Sequence, residues 1–103
     1  MTQKLKMRRG SGNVFRDLGF AEDEARNLAL RSELMIRIGE FVKASRLTQA
    51  QAAAQLGLTQ PRLNALLKGR IDQFSLDALV NVATRAGLHV ALRVAKAPTR
   101  NAA

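Results

Sequence analysis

The sequence lacks several features that define whole classes of proteins. Its 103 residues include no cysteine, which excludes a disulfide framework and a thiolate metal site. No apolar run approaches the roughly 18 residues that a membrane helix requires. The basic start, from Met1 to Arg9, is followed by Gly-Ser-Gly-Asn instead of the apolar core of a secretory signal. We therefore expect a soluble, cytoplasmic protein with no membrane partner.

Catalytic motifs are also missing. The one histidine, His89, has no second histidine with which to form a metal site, and the sequence contains neither an HExxH motif nor a P-loop. The run Gly10-Ser11-Gly12 follows no predicted strand, so it does not predict a nucleotide-binding loop. These absences predict a protein that is not an enzyme and that uses no cofactor and no metal.

Acidic residues are few and unevenly distributed. Seventeen Lys and Arg oppose eight Asp and Glu, which gives a formal net charge of +9. Six of the eight acids lie between Asp17 and Glu40, and none lies from Phe41 to Ile71. Five basic residues occupy that acid-free segment: Lys43, Arg46, Arg62, Lys68 and Arg70. A basic surface attracts polyanions, so a nucleic acid would meet this central segment first.

Apolar periodicity and capping residues predict a helical domain over residues 13–94, between a flexible basic arm (1–12) and a flexible tail (95–103). Residues 21–45 have helical spacing and form either one helix or two with a break near Arg31. Thr48 and Thr59 are predicted N-caps of short helices over 49–56 and 60–68, and Ser75 of a helix that ends at Gly87.

After Gly87 the apolar period changes from 3.6 to 2. Leu88, Val90, Leu92 and Val94 alternate with less apolar residues, which predicts a β-strand. A lone strand on a helical domain needs a partner for its backbone groups. The same strand of a second subunit would serve, giving a homodimer; the N-terminal segment is the alternative partner.

The segment from Gln49 to Gly69 has the pattern of a helix-turn-helix. Its fifth residue, Ala53, is small enough for two helices to cross closely, and its ninth, Gly57, suits a tight turn. Inward apolar positions follow at Leu56, Leu58, Leu63 and Leu66. The agreement of so many positions predicts a helix-turn-helix and not an ordinary helical hairpin.

The residues left on the outside of this motif predict double-stranded DNA as the partner. Gln can pair bidentately with adenine and Arg with guanine, while Pro and Ala suit a thymine methyl. Basic residues and the start of the first helix would hold phosphates. The expected DNA-binding residues are Gln49, Thr59, Gln60, Pro61, Arg62, Asn64, Ala65, Lys68 and Arg70.

Four runs of residues carry a family resemblance. They are LTQAQAAAQLGLTQPRLNALLKG (47–69), GNVFRDLGF (12–20), LRSELM (30–35) and IDQFSLD (71–77). The first resembles the Cro/CI-type (XRE) family of bacterial and phage regulators, and the others are similar to its subgroup of HigA-like antitoxins. The resemblance covers roughly residues 11 to 94.

The resemblance implies a mainly α, compact, five-helix domain of the lambda-repressor type, which binds an inverted-repeat operator as a dimer and represses its own operon. It implies phosphate contacts for Gln49 and Lys68, and base contacts for Gln60, Pro61, Arg62 and Ala65. An antitoxin would also bind a RelE-like ribonuclease toxin. The alternative is a stand-alone or phage-type regulator without a toxin partner.

Overall fold

The computed structural model describes residues 13–96 of the chain, so the predicted arm and nearly all of the predicted tail lie outside the described residues. Within this range the chain forms five α-helices and one short 3₁₀ helix. This confirms the prediction of a mainly helical, five-helix domain. The elements are α1 (Val14–Asp17), α2 (Glu22–Ser45), α3 (Gln49–Leu56), α4 (Gln60–Leu67), the 3₁₀ helix (Ile71–Gln73) and α5 (Leu76–Arg85).

The three predicted N-caps are confirmed by hydrogen bonds. The Thr48 hydroxyl accepts from the backbone N–H of Gln51 at 3.1 Å, and the Gln51 side chain accepts from the Thr48 N–H at 2.9 Å, so α3 begins with a complete capping box. Thr59 caps α4 and Ser75 caps α5 through the N–H three residues onward. Each cap stabilises its helix by about 1 kcal/mol, so local chemistry sets where these helices begin.

The α2 segment is one continuous helix of 24 residues, which decides between the two predicted alternatives. No proline interrupts it, and buried residues extend along both of its halves, including Leu28 and Ile38. Tertiary packing against α1, α4 and α5 therefore continues past Arg31 without a break. The side chain of Arg31 is not at a helix end but reaches out of α2 to the loop after α4.

The first helix packs on the start of α2. The Asn13 side chain accepts from the N–H groups of Phe15 and Arg16 and donates to the carbonyl of Ala25 at 3.2 Å. Phe15 and Phe20 meet edge to face with ring centroids 6.2 Å apart. These contacts attach α1 to α2.

A single hydrophobic core lies between α2, α3, α4 and α5. The largest fully buried side chains are Phe74, Ile38, Leu56, Leu63 and Leu79. Four of these five belong to helices, whereas Phe74 lies in the loop between the 3₁₀ helix and α5. Burial of Phe74 fixes that loop against the helical core.

The predicted strand over residues 88–94 is not formed within the described part of the chain. Leu88 packs against the core, but Leu92 and Val94 are 89% and 82% exposed. Residues 13–96 contain no other strand with which this segment could form a ladder. Pairing with a second subunit stays a prediction, and the alternative partner, the N-terminal arm, lies outside the described residues.

Candidate nucleic-acid interface

The turn between α3 and α4 has the geometry of a helix-turn-helix. Gly57 adopts a left-handed conformation with φ of +72°, and the N–H of Leu58 donates to the carbonyl of Ala53 at 2.9 Å. Ala53 itself is 3% exposed, as the close crossing of α3 and α4 requires. A Cβ atom on Gly57 would lie 2.6 Å from Nε of Arg85. The left-handed conformation therefore favours glycine here, whereas the Arg85 side chain is exposed and could move aside.

Polar side chains line the side of α4 that faces away from the core. Gln60, Asn64 and Lys68 are exposed and follow one another at intervals of four residues, so they form a row along the helix. Pro61 is exposed beside this row in the first turn. We call Gln60, Pro61, Asn64 and Lys68 the α4 outer face. It matches four of the residues that the sequence predicts to contact DNA.

The start of α3 offers backbone donors next to α4. Gln49 is exposed in the first turn, where the N–H of Gln51 is already satisfied by the Thr48 cap. The N–H groups of Gln49 and Ala50 have no acceptor within the described residues and precede the first intrahelical bond. Such a helix start can hold an anion, and the phosphate contact of Gln49 stays a prediction.

Arg62 lies in a different place from the one the sequence predicts. Its side chain is half-buried; the guanidinium donates to the carbonyl of Gln73 at 2.9 Å, and its Cζ atom lies 4.3 Å from the centroid of the Phe74 ring. A cation–π contact of this kind contributes about 0.5–2 kcal/mol. Arg62 therefore points to the loop after the 3₁₀ helix and does not belong to the α4 outer face.

The outward placement of Ala65 is wrong. Ala65 is 8% exposed and belongs to the buried core cluster, together with Leu63 and Leu66. It follows Arg62 by three residues, so both lie on one side of α4, and that side faces the loop of residues 70–74. The sequence pattern turns Leu63 and Leu66 inward and leaves Ala65 outward, whereas the structure buries all three.

The remaining predicted contacts are exposed. Thr59 uses its hydroxyl as the α4 cap, accepting from the N–H of Arg62 at 3.2 Å. Arg70 lies at the start of the 3₁₀ helix with an exposed side chain. Lys43 and Arg46, which precede α3, are exposed as well. Arg46 has φ of 63° and is the one described residue other than glycine with a positive φ.

Charge is separated along the molecule. The three ion pairs that join described residues all lie on α1 and α2: Arg16–Glu22, Arg26–Glu22 and Arg37–Glu33. Hydrogen bonds from Arg16 and Arg26 hold the pKa of Glu22 below its usual range. By contrast, no described carboxylate forms an ion pair with a basic residue of the segment from Lys43 to Arg70. That segment presents unneutralised positive charge to a polyanion.

Other kinds of site find no support in the described residues. They contain no group of three or more His, Asp or Glu side chains that could hold a metal ion. His89 is exposed. Among the same residues, no helix combines the length and the apolar character that crossing a membrane requires.

Sequence reasoning missed two residues that organise the site. Arg31 of α2 donates to the carbonyls of Ile71 and Phe74 at 3.1 and 3.0 Å. Phe74 receives Arg62 on its ring. The signal that could have found Phe74 is its position as the only aromatic residue after Phe41, because a lone aromatic residue in a loop next to a helix-turn-helix is a natural core anchor.

Comparisons with known proteins agree with this geometry. A family model described as a helix-turn-helix domain matches residues 14–95. A solved structure, described as an XRE-family transcriptional regulator, is similar with a TM-score of 0.69 and 29% sequence identity, over 78% of this chain and 90% of that chain. No curated protein matches the chain. The family match spans all five helices, and the chain therefore belongs to this helix-turn-helix domain family.

Proposed function

We propose that this protein is a sequence-specific DNA-binding regulator of transcription. The observation that carries the proposal is the α4 outer face: polar side chains in a row on a helix that is capped at Thr59 and bordered by unpaired positive charge. The fold and the family are those of a DNA-binding regulator and not of an enzyme. The similarity to a solved XRE-family regulator supports the same assignment.

In the proposed complex, α4 enters the major groove with its N-terminal turn leading. The side-chain amides of Gln60 and Asn64 can each pair bidentately with adenine, and Pro61 can contact a thymine methyl. Each good bidentate pair discriminates against a wrong base by roughly 1–3 kcal/mol. The α4 outer face therefore supplies the sequence preference.

Phosphate contacts position the domain in this proposal. Lys68 is the last residue of the α4 outer face, Arg70 follows it in the chain, and the start of α3 at Gln49 precedes α4. These groups neutralise phosphates without reading sequence. Each lysine or arginine contact makes the affinity more dependent on salt, because it releases counterions from the DNA.

A homodimer on an inverted-repeat operator is the assembly that we propose. The exposed apolar side chains of Leu92 and Val94 support it, since they lie in the segment whose alternation predicts a strand. Two such segments related by a twofold axis would satisfy each other's backbone groups. Binding to the DNA in front of its own gene would make the protein a repressor of its own operon, acting in the cytoplasm.

The finer proposal is that the regulator is the antitoxin of a RelE-like toxin. It rests on the sequence resemblance and on the acidic start of α2, where Glu22, Asp23 and Glu24 are exposed. Arg16 and Arg26 bind Glu22 and reduce the net negative charge there, so Asp23 and Glu24 are the better contacts for a basic ribonuclease. A regulator without a toxin partner is the alternative, and a toxin-like reading frame beside the gene distinguishes the two.

The test is a binding titration on the DNA upstream of the gene, with scrambled duplex as competitor at fixed salt. We expect competitor-resistant binding and a footprint of two half-sites about 34–36 Å apart, or a multiple of that distance. Binding no tighter than to scrambled DNA would reject the proposal.

Two substitutions assign the contacts. Gln60→Ala is expected to lower operator affinity by about 1–3 kcal/mol and to relax the preference at one base pair. Gln55→Ala is the matched control, because Gln55 is an exposed glutamine of α3 outside the α4 outer face. Lys68→Ala is expected to weaken binding to all sequences and to lower the salt slope by about one. Equal losses for Gln60→Ala and Gln55→Ala would contradict base reading by α4.

A further inference from the structure

Arg62 occupies the inner side of α4 although its residue type suits DNA. Its guanidinium is placed by two contacts at once, the Gln73 carbonyl at 2.9 Å and the Phe74 ring at 4.3 Å. Leu66, one helical turn further along on the same side, is 2% exposed. The side chain of Arg62 therefore runs toward the loop of residues 70–74 and not along the α4 outer face.

The loop that receives Arg62 depends on two arginines. The guanidinium of Arg31 donates to the carbonyls of Ile71 and Phe74, and that of Arg62 donates to the carbonyl between them, at Gln73. Three carbonyl groups within four residues thus accept from charged donors of α2 and α4. Charge-assisted bonds are stronger than neutral ones, so this loop joins α4 to α2 through side chains in addition to the core.

A base-reading Arg62 would have to give up both contacts. The planar guanidinium stacks on the ring while its N–H donates to the carbonyl, and neither interaction survives if the group turns toward a guanine. The Gln73 carbonyl would then lose its charged donor. Gln60 and Asn64, by contrast, are exposed and can approach bases without breaking any side-chain contact between described residues.

We propose that Arg62 is a positioning residue that sets the orientation of α4 and stays on Phe74 when DNA is bound. It would affect sequence specificity indirectly, because it holds the first turn of α4 at a fixed angle to the loop of residues 70–74 and so positions Gln60 and Asn64. The inference rests on the proposed function and deepens it, because it assigns base reading to the α4 outer face and removes Arg62 from it.

The decisive experiment uses the unaltered full-length chain. Protons on the Arg62 side chain lie over the Phe74 ring, so their NMR resonances are shifted upfield by the ring current. The probe is the duplex that the wild-type chain selects from a random-sequence library, titrated to saturation. Retention of the upfield shift in the complex is expected. Loss of the shift on binding would show that Arg62 leaves Phe74 and would overturn the inference.

Variants supply the functional test. Arg62→Gln is expected to lower affinity for the selected duplex by about tenfold, with the loss of discrimination spread over every base pair read by α4. Arg62→Lys is expected to lose nearly as much, because an ammonium lacks the planar group that stacks and donates together. Arg26→Gln is the control for the loss of one charge, since Arg26 pairs with Glu22 at the acidic start of α2, and it is expected to change affinity less than twofold.

Each contrary result has its own meaning. If Arg62→Gln lost discrimination at a single base pair only, Arg62 would be a base-reading residue. If it lowered the salt slope by about one and Arg62→Lys restored full affinity, Arg62 would be a phosphate contact. Either result overturns positioning while the regulator function stands. A wild-type chain that selects no sequence from the library overturns both the regulator function and this inference.

Discussion

Replacing Gly57 with alanine tests the turn on which the helix-turn-helix depends. The φ angle of +72° lies in the left-handed region, where a Cβ atom costs about 1–2 kcal/mol. Alanine also lowers the conformational entropy of the unfolded chain, which stabilises the folded state by about 0.4–1 kcal/mol. The new Cβ would lie 2.6 Å from Nε of Arg85, but that side chain is exposed and can move. We therefore expect a net destabilisation of about 1 kcal/mol.

A domain of this size loses about 4–8 °C in melting temperature for each kcal/mol, so Gly57→Ala should melt about 4–8 °C below the wild-type protein. Far-ultraviolet circular dichroism on heating measures this shift. Urea denaturation of the same samples gives the free energy of unfolding directly. The two methods should agree in sign and rank.

Gly39→Ala is the matched control and should have the opposite sign. Gly39 lies within α2, and its added Cβ would meet nothing closer than Cδ2 of Leu67 at 4.0 Å. Glycine in a helix interior costs about 0.5–1 kcal/mol relative to alanine, so this variant should be more stable than the wild type. A Gly57→Ala protein that melts at or above the wild-type temperature would refute the reasoning about the turn.

Three further predictions concern side chains outside the turn. Arg31→Ala removes the donor to two loop carbonyls and should lower the unfolding free energy by about 2 kcal/mol in urea, whereas the exposed Arg37→Ala should change it by less than about 0.5 kcal/mol. Arg46→Gly relieves a left-handed residue with φ of 63° and should raise the free energy of unfolding by about 0.5–1 kcal/mol; an unchanged or lower value would show that the conformation is not strained. Because Arg16 and Arg26 lower the pKa of Glu22 in the folded state, its stabilising effect is present above the ordinary glutamate pKa of about 4.3 and is lost as pH falls below it. The difference in melting temperature between wild type and Glu22→Gln should therefore shrink between about pH 6 and pH 3, and a difference independent of pH would contradict the assignment.

Side-chain contacts to the loop of residues 70–74 explain how a small core holds α4 in place. Phe74 is 1% exposed and attaches the loop to the core. Arg31 of α2 and Arg62 of α4 donate to carbonyl groups of the same loop. The loop follows directly on α4, so the same contacts that hold it also restrict rotation of α4. In the proposed function, the residues that stabilise this loop therefore also orient the helix that contacts DNA.

Much of the fold follows from residues a few positions apart. Thr48, Thr59 and Ser75 cap helices because their hydroxyl groups accept from N–H groups three residues onward, and this chemistry is visible in the sequence. The left-handed turn at Gly57 and the small Ala53 are equally local. The strand over 88–94 was not predictable with the same security, because a strand is made by its partner and no partner lies within the described residues.

Two predicted site residues show where local reasoning ends. The sequence pattern leaves Ala65 outward between the inward Leu63 and Leu66, yet Ala65 is 8% exposed and belongs to the buried core cluster. Arg62 has the residue type that reads guanine, yet Phe74 and Gln73 hold it inward. The contacts of Arg62 could not be predicted from α4 alone, since its two partners lie 11 and 12 residues further along the chain.

The sequence by itself determined where α3, α4 and α5 begin, the turn, the uneven charge and the helix-turn-helix family, because these depend on residue type and on neighbours within one or two helical turns. Tertiary structure decided which side of α4 is free. That choice depends on how α2, α3 and the loop of residues 70–74 pack against the helix, because packing among distant segments sets the rotation of a helix about its own axis. Gln60, Asn64 and Lys68 are exposed, whereas Ala65 is buried and Arg62 is half-buried against the loop of residues 70–74.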